Sequence, residues 1–134
     1  MAHESTLLIV KPDGVARRLV GEVLRRVEAK GLTIDKLEMR VLDRATAEEH
    51  YGEHRERPFF GELVDFITSG PVVLAQLSGD DAITCWRTLM GPTNPVEAPP
   101  GSIRGDLATQ IGENIAHGSD SSASAERELK LFFG

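Results

Sequence analysis

Two periodicities of apolar residues in the first part of the chain predict its first strand and its first helix. The run STLLIVK at 5–11 is an apolar segment of the β type. The predicted strand stops at Lys11, because Pro12 cannot extend a strand ladder and the Asp-Gly pair after it favours a turn. Apolar positions at helical spacing then predict an amphipathic helix over 19–30, which Gly31 ends.

The following segments predict a second strand and a pair of helices. Residues 32–42 alternate between apolar and polar side chains, and the alternation changes face once near Lys36, which indicates a bulge or a loose start. A helix is expected over 46–54 after a Thr or Asp cap. A second helix is expected to have Pro58 in its first turn and Gly70 beyond its end, so that the two would form a helical hairpin.

A continuous apolar segment at 71–77 predicts a third strand, and Asp80 or Asp81 is expected to cap a helix over 82–90. The stretch 91–106 then contains four prolines and no periodicity. A long loop of this kind inside a small domain is more often functional than idle.

Three further elements close the pattern: a short helix over 107–111, a short strand over 115–117, and a helix over 122–132 with Ser122 or Ser124 at its start. About four strands interleaved with helices place the chain in the α/β class, as a sheet with helices packed on it. The helices after the first and third strands follow the split βαβ order of a ferredoxin-like fold. We expect one domain over residues 1–134.

Composition narrows the possible partners and the compartment. The chain has 15 Lys and Arg against 21 Asp and Glu, a formal net charge of −6 at pH 7. This balance disfavours a protein that coats nucleic acid, so any phosphate ligand would need a local basic patch. The single cysteine, Cys85, excludes an internal disulfide, and the apolar run LLIV is too short for a signal peptide or a membrane span. We therefore expect a cytoplasmic protein with neither nucleic acid nor a membrane as partner.

Several common motifs are absent, and one metal motif is present. The chain lacks G-x-G-x-x-G, the Gly-Lys pair of a P-loop, and G-x-S-x-G. The stretch HYGEH fits H-x-x-E-H, in which His50 and His54 would bind zinc and Glu53 would act as general base. Gly52 weakens the helix that would align these ligands, and no other segment indicates a third one. A metallopeptidase stays open as an alternative.

A candidate nucleophile lies in the stretch NIAHGSDS. Taken alone, His117 is typical of an ordinary turn residue. Its neighbours favour a catalytic role for His117, because Gly118 allows close backbone approach and the Asn114 amide can bind a hydroxyl or the reacting group. Glu126 or Glu128 in the closing helix would supply a carboxylate that orients the ring, as nucleophilic catalysis by histidine requires.

Three cations are candidates for an anion clamp: Lys11 at a strand end, Arg87 in the helix before the loop, and Arg104 within the loop. Thr93 adds a hydroxyl donor to this set. Phe59 either packs in the core or offers a flat platform for a nucleobase. A base, phosphates and a histidine together indicate phosphoryl transfer.

Stretches in the same order along the chain resemble the nucleoside diphosphate kinase family. They are KPDG (11–14), LVGEVLRRVEAKG (19–31), HYGEHRERPFF (50–60), SGPVV (69–73), GPTNP (91–95), PGSIRGD (100–106) and NIAHGSDS (114–121). The resemblance runs nearly from end to end of the chain. Ser102, where Thr is common, and Leu107, where Phe is common, depart mildly from the family pattern.

The resemblance implies a reversible ping-pong reaction. A nucleoside triphosphate, chiefly ATP, would pass its γ-phosphoryl group to His117, and a nucleoside diphosphate would then take it. The implied phosphate-binding residues are Lys11, Arg87, Thr93 and Arg104. Phe59 would stack on the base and Asn114 would contact the sugar 3′ region. The residues implied to support the histidine are Tyr51, Ser119 and Glu128.

The resemblance also implies the fold, the cofactor and the assembly. The family fold is a ferredoxin-like α/β sandwich with a four-stranded antiparallel sheet. Mg²⁺ would be bound through the nucleotide phosphates, with no metal held by protein side chains. A homo-oligomer is expected, with a hexamer favoured over a tetramer. A non-catalytic ferredoxin-like module that binds nucleotide or a partner protein is the alternative.

Overall fold

A computed structural model describes residues 2–134, and a four-stranded sheet forms the centre of this part of the chain. Its strands are β1 (His3–Val10), β2 (Thr33–Arg40), β3 (Val72–Asp80) and β4 (Ala116–Gly118). They lie in the order β2-β3-β1-β4, and each neighbouring pair is antiparallel. The predicted antiparallel four-stranded sheet with helices packed on it, a ferredoxin-like α/β fold, is confirmed.

Seven α-helices surround the sheet in the described part of the chain. They are α1 (Pro12–Ala16), α2 (Val20–Lys30), α3 (Arg44–His50), α4 (Phe60–Ile67), α5 (Ala82–Met90), α6 (Ile103–Leu107) and α7 (Ser122–Phe133). Two short 3₁₀ turns, Gly52–His54 and Pro95–Glu97, lie in the connections. None of the helices within residues 2–134 has the length and apolar character needed to cross a membrane.

Both faces of the sheet are covered, which explains why the second half of β1, the run LLIV at 7–10, is apolar without alternation. Leu8 and Val10 of β1 belong to the core that includes α2 and α5. Leu7 and Ile9 point to the opposite face, into the core that includes α3, α4 and α7. The two central strands therefore pack against a core on each face, and Lys11 follows the end of β1, where Val10 pairs with Ala116 at the start of β4.

Two local predictions from the first half are confirmed. Helix α2 ends at Gly31, whose φ of 101° is the left-handed conformation that glycine adopts without strain. The pairing of β2 with β3 shifts register between Ile34 and Lys36, where the change of face predicts a bulge.

Other boundaries in the first half differ from the prediction. The turn expected at KPDG is the start of α1, because a proline is well suited to the first helical position. The helix expected over 46–54 begins earlier, where the Asp43 side chain accepts a hydrogen bond from Thr46 N, and it ends at His50. Pro58 lies before α4 and outside its first turn.

In the second half of the chain, too, several elements differ from the prediction. Strand β3 continues past the predicted end to Asp80. Asp81 precedes α5 with a φ of 53°, and its side chain makes no capping bond; Glu4 Oε1 instead accepts from Ile83 N at 3.2 Å. The short helix expected over 107–111 is wrong: α6 lies inside the loop, because the Ser102 hydroxyl caps it by accepting from Gly105 N.

At the C-terminal end the predictions are close to the structure. Strand β4 lies one residue later than expected, at Ala116–Gly118. Helix α7 is the predicted closing helix, but its cap is the Ser121 hydroxyl, which accepts from Ser124 N at 3.1 Å.

Candidate functional site

A cleft of about 320 Å³ opens beside β4, where the ends of β1 and α5 meet the loop after α5. Six of the seven residues that the sequence singles out line it: Lys11, Arg87, Thr93, Arg104, Asn114 and His117. They come from separate parts of the chain, so the cleft is made by the tertiary fold. The cleft is the candidate active site.

His117 is held by a buried carboxylate on the opposite element, α7. Its Nε2 lies 3.1 Å from Glu128 Oε1, and the Ser119 hydroxyl donates to the same oxygen at 2.7 Å. Burial opposes ionisation of Glu128, yet these hydrogen bonds outweigh it and lower the pKa of the carboxyl to about 2. A carboxylate only accepts hydrogen bonds, so Nε2 carries the proton and the lone pair of the neutral ring is on Nδ1.

Trp86, the only tryptophan of the chain, holds the backbone of β4 by a hydrogen bond. Trp86 Nε1 of α5 donates to the carbonyl oxygen of His117 at 3.2 Å. A Cβ atom at Gly118 would lie 2.6 Å from the Trp86 ring, so only glycine allows this approach. Packing against Trp86 therefore requires glycine at the position after His117.

Lys11 and Asn114 form one connected polar group with the loop. Lys11 Nζ donates to Asn114 Oδ1 at 2.9 Å, and Asn114 Nδ2 donates to the carbonyl oxygen of Thr93 at 3.0 Å. Burial and the nearby charge of Arg104 lower the pKa of Lys11 to about 8. This ammonium group is short of water and of anionic partners, which favours the binding of an anion beside it.

Arg104 connects three separate segments of backbone. Its Nε donates to Asn114 O at 3.1 Å, its Nη1 to Gly91 O at 2.9 Å, and its Nη2 to Ala116 O at 2.6 Å. The side chain is buried, and burial together with the charge of Arg87 lowers its pKa to about 10. Arg104 therefore holds three backbone segments of the cleft together and also contributes a positive charge to it.

Comparison with known proteins agrees with this geometry. The family model described as nucleoside diphosphate kinase matches residues 4–134. The chain belongs to the nucleoside diphosphate kinase family. It is 60% identical to the nucleoside diphosphate kinase of Deinococcus radiodurans, across 98% of this chain and 95% of that one. It is also 60% identical to the nucleoside diphosphate kinase of Rubrobacter xylanophilus, across 98% of each chain.

Solved structures of the family have the same fold. A halophilic nucleoside diphosphate kinase from Halobacterium salinarum in complex with CDP matches with a TM-score of 0.95 and 46% identity, covering 98% of this chain and 88% of that one. The apo enzyme from Encephalitozoon cuniculi matches with a TM-score of 0.95 and 40% identity, covering 98% and 89%. As a nucleoside diphosphate kinase family member the chain is an enzyme, and the alternative of a non-catalytic module finds no support.

Phe59 is the sequence-selected residue that lies outside the cleft lining. Its side chain is 39% exposed, and its ring centroid is 5.7 Å from that of His54, which does line the cleft. In this nucleoside diphosphate kinase family member the aromatic ring is thus at the mouth of the site, neither in the core nor against His117.

The zinc arrangement expected from HYGEH is not formed. Helix α3 ends at His50, and His54 follows on a separate 3₁₀ turn, so the two histidines share no helix face. His50 instead groups with His117 and Glu128, whose possible donor atoms lie within 4.8 Å of one another. Four cationic side chains line the same cleft: Lys11, Arg87, Arg104 and Arg127. The carboxylates of Glu53, Asp120 and Glu128 also line the cleft, so the positive charges exceed the negative ones by one. This balance favours an anion over a metal cation, and the family assignment leaves the metallopeptidase alternative without support.

Two residues at the site were not assigned a role there by the sequence. His50 is buried against His117, and Arg127 of α7 places its Nη2 3.6 Å from Glu128 Oε2. Arg127 also lies 3.8 Å from Glu53 across the cleft. An arginine on the polar side of an amphipathic helix carries no local signal that separates it from other surface charges. The positions of His50 and Arg127 beside His117 and Glu128 were therefore visible only in the structure.

Proposed function

We propose that the chain transfers the γ-phosphoryl group of a nucleoside triphosphate, chiefly ATP, to a nucleoside diphosphate by a ping-pong reaction through a phosphohistidine on His117. The observation that carries the proposal is the bond from His117 Nε2 to Glu128, which leaves the Nδ1 lone pair free in a cleft lined by cations. The family assignment supports the same activity.

The two half-reactions use the same atoms in opposite directions. Nδ1 attacks the γ-phosphorus, the bond from phosphorus to the β,γ-bridging oxygen breaks, and the nucleoside diphosphate leaves. A terminal oxygen of the second diphosphate then attacks the phosphorus, and the P–N bond breaks. In the intermediate the ring carries additional positive charge, which the Glu128 carboxylate stabilises through Nε2–H.

The cations serve positioning and charge stabilisation. Phosphoryl transfer requires little covalent chemistry beyond an aligned nucleophile and positive charge near the phosphate oxygens. The residues that we propose for the phosphates are Lys11, Arg87, Thr93 and Arg104. Of the five N–H donors of a guanidinium, Arg104 uses three on backbone carbonyls, so two stay available for a phosphate.

The nucleoside would extend from this centre towards the mouth of the cleft. We propose that Asn114 contacts the sugar 3′ region and that Phe59 stacks on the base. Stacking on an aromatic face does not depend on base identity, so we expect broad nucleotide specificity.

Mg²⁺ is proposed to be bound through the nucleotide phosphates. The site fits this arrangement: of the lining carboxylates, Glu128 is engaged by His117 and Ser119, and Glu53 faces Arg127. Asp120 is the remaining lining carboxylate, so the cleft does not offer a set of free carboxylates to a metal ion. Mg²⁺ prefers phosphate oxygens and water and rarely needs a protein cage. When bound, it neutralises part of the charge on the β- and γ-phosphate oxygens.

A homo-oligomer is proposed from the edge of the sheet. Strand β2 pairs with β3 on one side, and it exposes apolar side chains at Leu37 and Met39, followed by Val41 just beyond the strand, with 52%, 58% and 61% exposure. An edge strand with unpaired backbone groups and exposed apolar side chains is a template for pairing with another chain. We favour a hexamer over a tetramer, and sedimentation equilibrium of the purified protein distinguishes them by mass.

We also propose one domain for the chain and a cytoplasmic location for its reaction. The match of the family model over residues 4–134 supports one domain over 1–134. We propose that the reaction takes place in the cytoplasm, with nucleotides and no nucleic acid or membrane as partners.

The test is to incubate the purified protein with γ-labelled ATP and Mg²⁺, remove free nucleotide, and follow the label. We expect label that is stable in alkali, lost in acid, discharged by GDP, and absent from His117→Ala. Transfer between nucleotides by His117→Ala would overturn the proposed nucleophile. Tight ATP binding by an unlabelled wild-type protein would point to a binding module.

A further inference from the structure

Ile115, the residue between Asn114 and β4, has a backbone conformation that side chains rarely adopt. Its φ is +77°, and its side chain is β-branched and fully buried. The Ala116 N–H donates to the Asn114 carbonyl oxygen at 2.9 Å, which closes a three-residue γ-turn centred on Ile115. The γ-turn form with positive φ is rare and strained, so surrounding groups must hold it in place.

The stretch KPDG supplies those groups. Asp13 is buried, and its Oδ2 accepts from Ile115 N at 3.0 Å. Lys11 N donates to Ile115 O at 2.8 Å, so both polar groups of the strained residue are bonded to the junction of β1 and α1. A Cβ at Gly14 would lie 3.0 Å from Ile115 O and 2.8 Å from a Val10 methyl, so glycine is needed for this approach.

The turn lies between the two groups whose relative position the reaction requires. Asn114, before it, connects the Lys11 ammonium and the Thr93 carbonyl. His117, two residues after it, is already paired in register with Ile9 of β1. If Ile115 relaxed to an ordinary conformation, the peptide planes on either side would rotate, and Asn114 would move relative to the nucleophile.

We propose that Asp13 is a positioning residue: by accepting the Ile115 N–H it holds the strained turn that sets Asn114 and Lys11 at the correct distance from His117. Asp13 touches no reacting atom in this arrangement, and its effect on turnover passes through Ile115. The inference rests on the proposed function, because it takes His117 as the phosphate acceptor.

The experiment measures the single-turnover rate of His117 labelling from γ-labelled ATP, together with nucleotide affinity and thermal stability. Asp13→Ala removes the acceptor and leaves the Ile115 N–H unpaired, and we expect the labelling rate to fall by about 10–100-fold, the range expected when reacting groups are misplaced by about 1 Å. Asp13→Asn keeps an oxygen acceptor in the same place and should stay within about fivefold of wild type.

Two controls separate positioning from general loss of stability. Val27→Ala truncates a fully buried side chain of α2 and should label His117 at close to the wild-type rate although it unfolds more easily. In the background of Asp13→Ala, the substitution Ile115→Gly should raise the labelling rate, because glycine adopts positive φ without strain. A purely structural role for Asp13 predicts that this double variant is worse than either single variant.

Every outcome of this experiment supports or contradicts the proposed function or the positioning role of Asp13. Wild-type protein that takes no label on His117 contradicts the proposed function itself. If the wild-type protein takes label and Asp13→Ala is labelled at the same rate, the positioning role is overturned. It is also overturned if the double variant folds but is labelled no faster than Asp13→Ala. If Asp13→Ala does not fold, Asp13→Asn decides: native circular dichroism with more than about fivefold loss of rate overturns the proposal.

Discussion

The ring of His50 packs edge-to-face against the ring of His117, with ring centroids 4.8 Å apart and planes at 82°. Burial, and then the charge of His117 when it is protonated, lower the pKa of His50 to about 3, so His50 is uncharged at neutral pH. His117, the proposed nucleophile, thus contacts both a neutral aromatic ring and the Glu128 carboxylate. One limits the rotation of the imidazole, and the other fixes its proton on Nε2.

Removal of the His50 ring is expected to loosen His117. His50→Ala should lower the rate of His117 phosphorylation by about 10-fold, because the imidazole is then free to leave the attacking geometry. His50→Phe retains an aromatic edge and should lose less. Stopped-flow mixing with ATP measures both rates. Equal rates for His50→Ala and wild type would show that Glu128 alone positions the ring.

The charge of Glu128 is expected to matter beyond its shape. Glu128→Gln has the same size but no negative charge to stabilise the phosphorylated ring, so we expect phosphorylation to slow by about 10²-fold. Ser119→Ala removes one hydrogen bond to the carboxylate and should have a smaller effect. The fluorescence of Trp86, which donates to the His117 carbonyl, offers a direct signal for the step. A Glu128→Gln rate equal to that of wild type would contradict the charge argument.

The lowered pKa of Lys11 predicts proton uptake when nucleotide binds. Above about pH 8 the free enzyme loses the Lys11 proton. Bound phosphates favour the charged form and raise this pKa again, so binding at pH 8.5–9 takes up a proton and affinity falls as pH rises through about 8. Calorimetric titrations of ADP in buffers of different ionisation enthalpy measure the uptake.

Lys11→Arg is the matched control for this effect. Its guanidinium is charged throughout the range, so the proton uptake should vanish and the KM should become insensitive to pH between about 7 and 9. Uptake of the same size in Lys11→Arg would assign the proton to another group.

Replacement of Arg104 by lysine and replacement of Arg87 by lysine are expected to have different effects on stability and on KM. Arg104→Lys loses the fork that joins Gly91, Asn114 and Ala116, and we expect a loss of about 3 kcal/mol in the free energy of unfolding together with lower kcat/KM. Arg87 is exposed, so Arg87→Lys should raise the KM with little change in Tm. Thermal unfolding and steady-state kinetics on both variants test this. An unchanged Tm in Arg104→Lys would mean that the three backbone bonds contribute little.

Sequence alone determined the features that depend on neighbours along the chain. The apolar periodicity predicted all four strands and the helices α2, α5 and α7, the glycine stop at Gly31, and the bulge between Ile34 and Lys36. The chemistry-bearing residues could also be selected in advance, because a lysine, two arginines and a histidine stand at predicted element ends or in a long loop. With Thr93, Asn114 and Phe59 the selected residues number seven, and all of them except Phe59 line one cleft.

Tertiary structure decided which of these groups meet and what each one does. Arg104 donates hydrogen bonds to the backbone carbonyls of Asn114 and Ala116. His50 packs on His117 rather than beside His54. Asp13 accepts a hydrogen bond from Ile115, which is far from it in the sequence. Periodicity reports only which side of an element faces the core. Hydrogen bonds between distant segments depend on sheet order and on a strained turn, and no local spacing encodes either one.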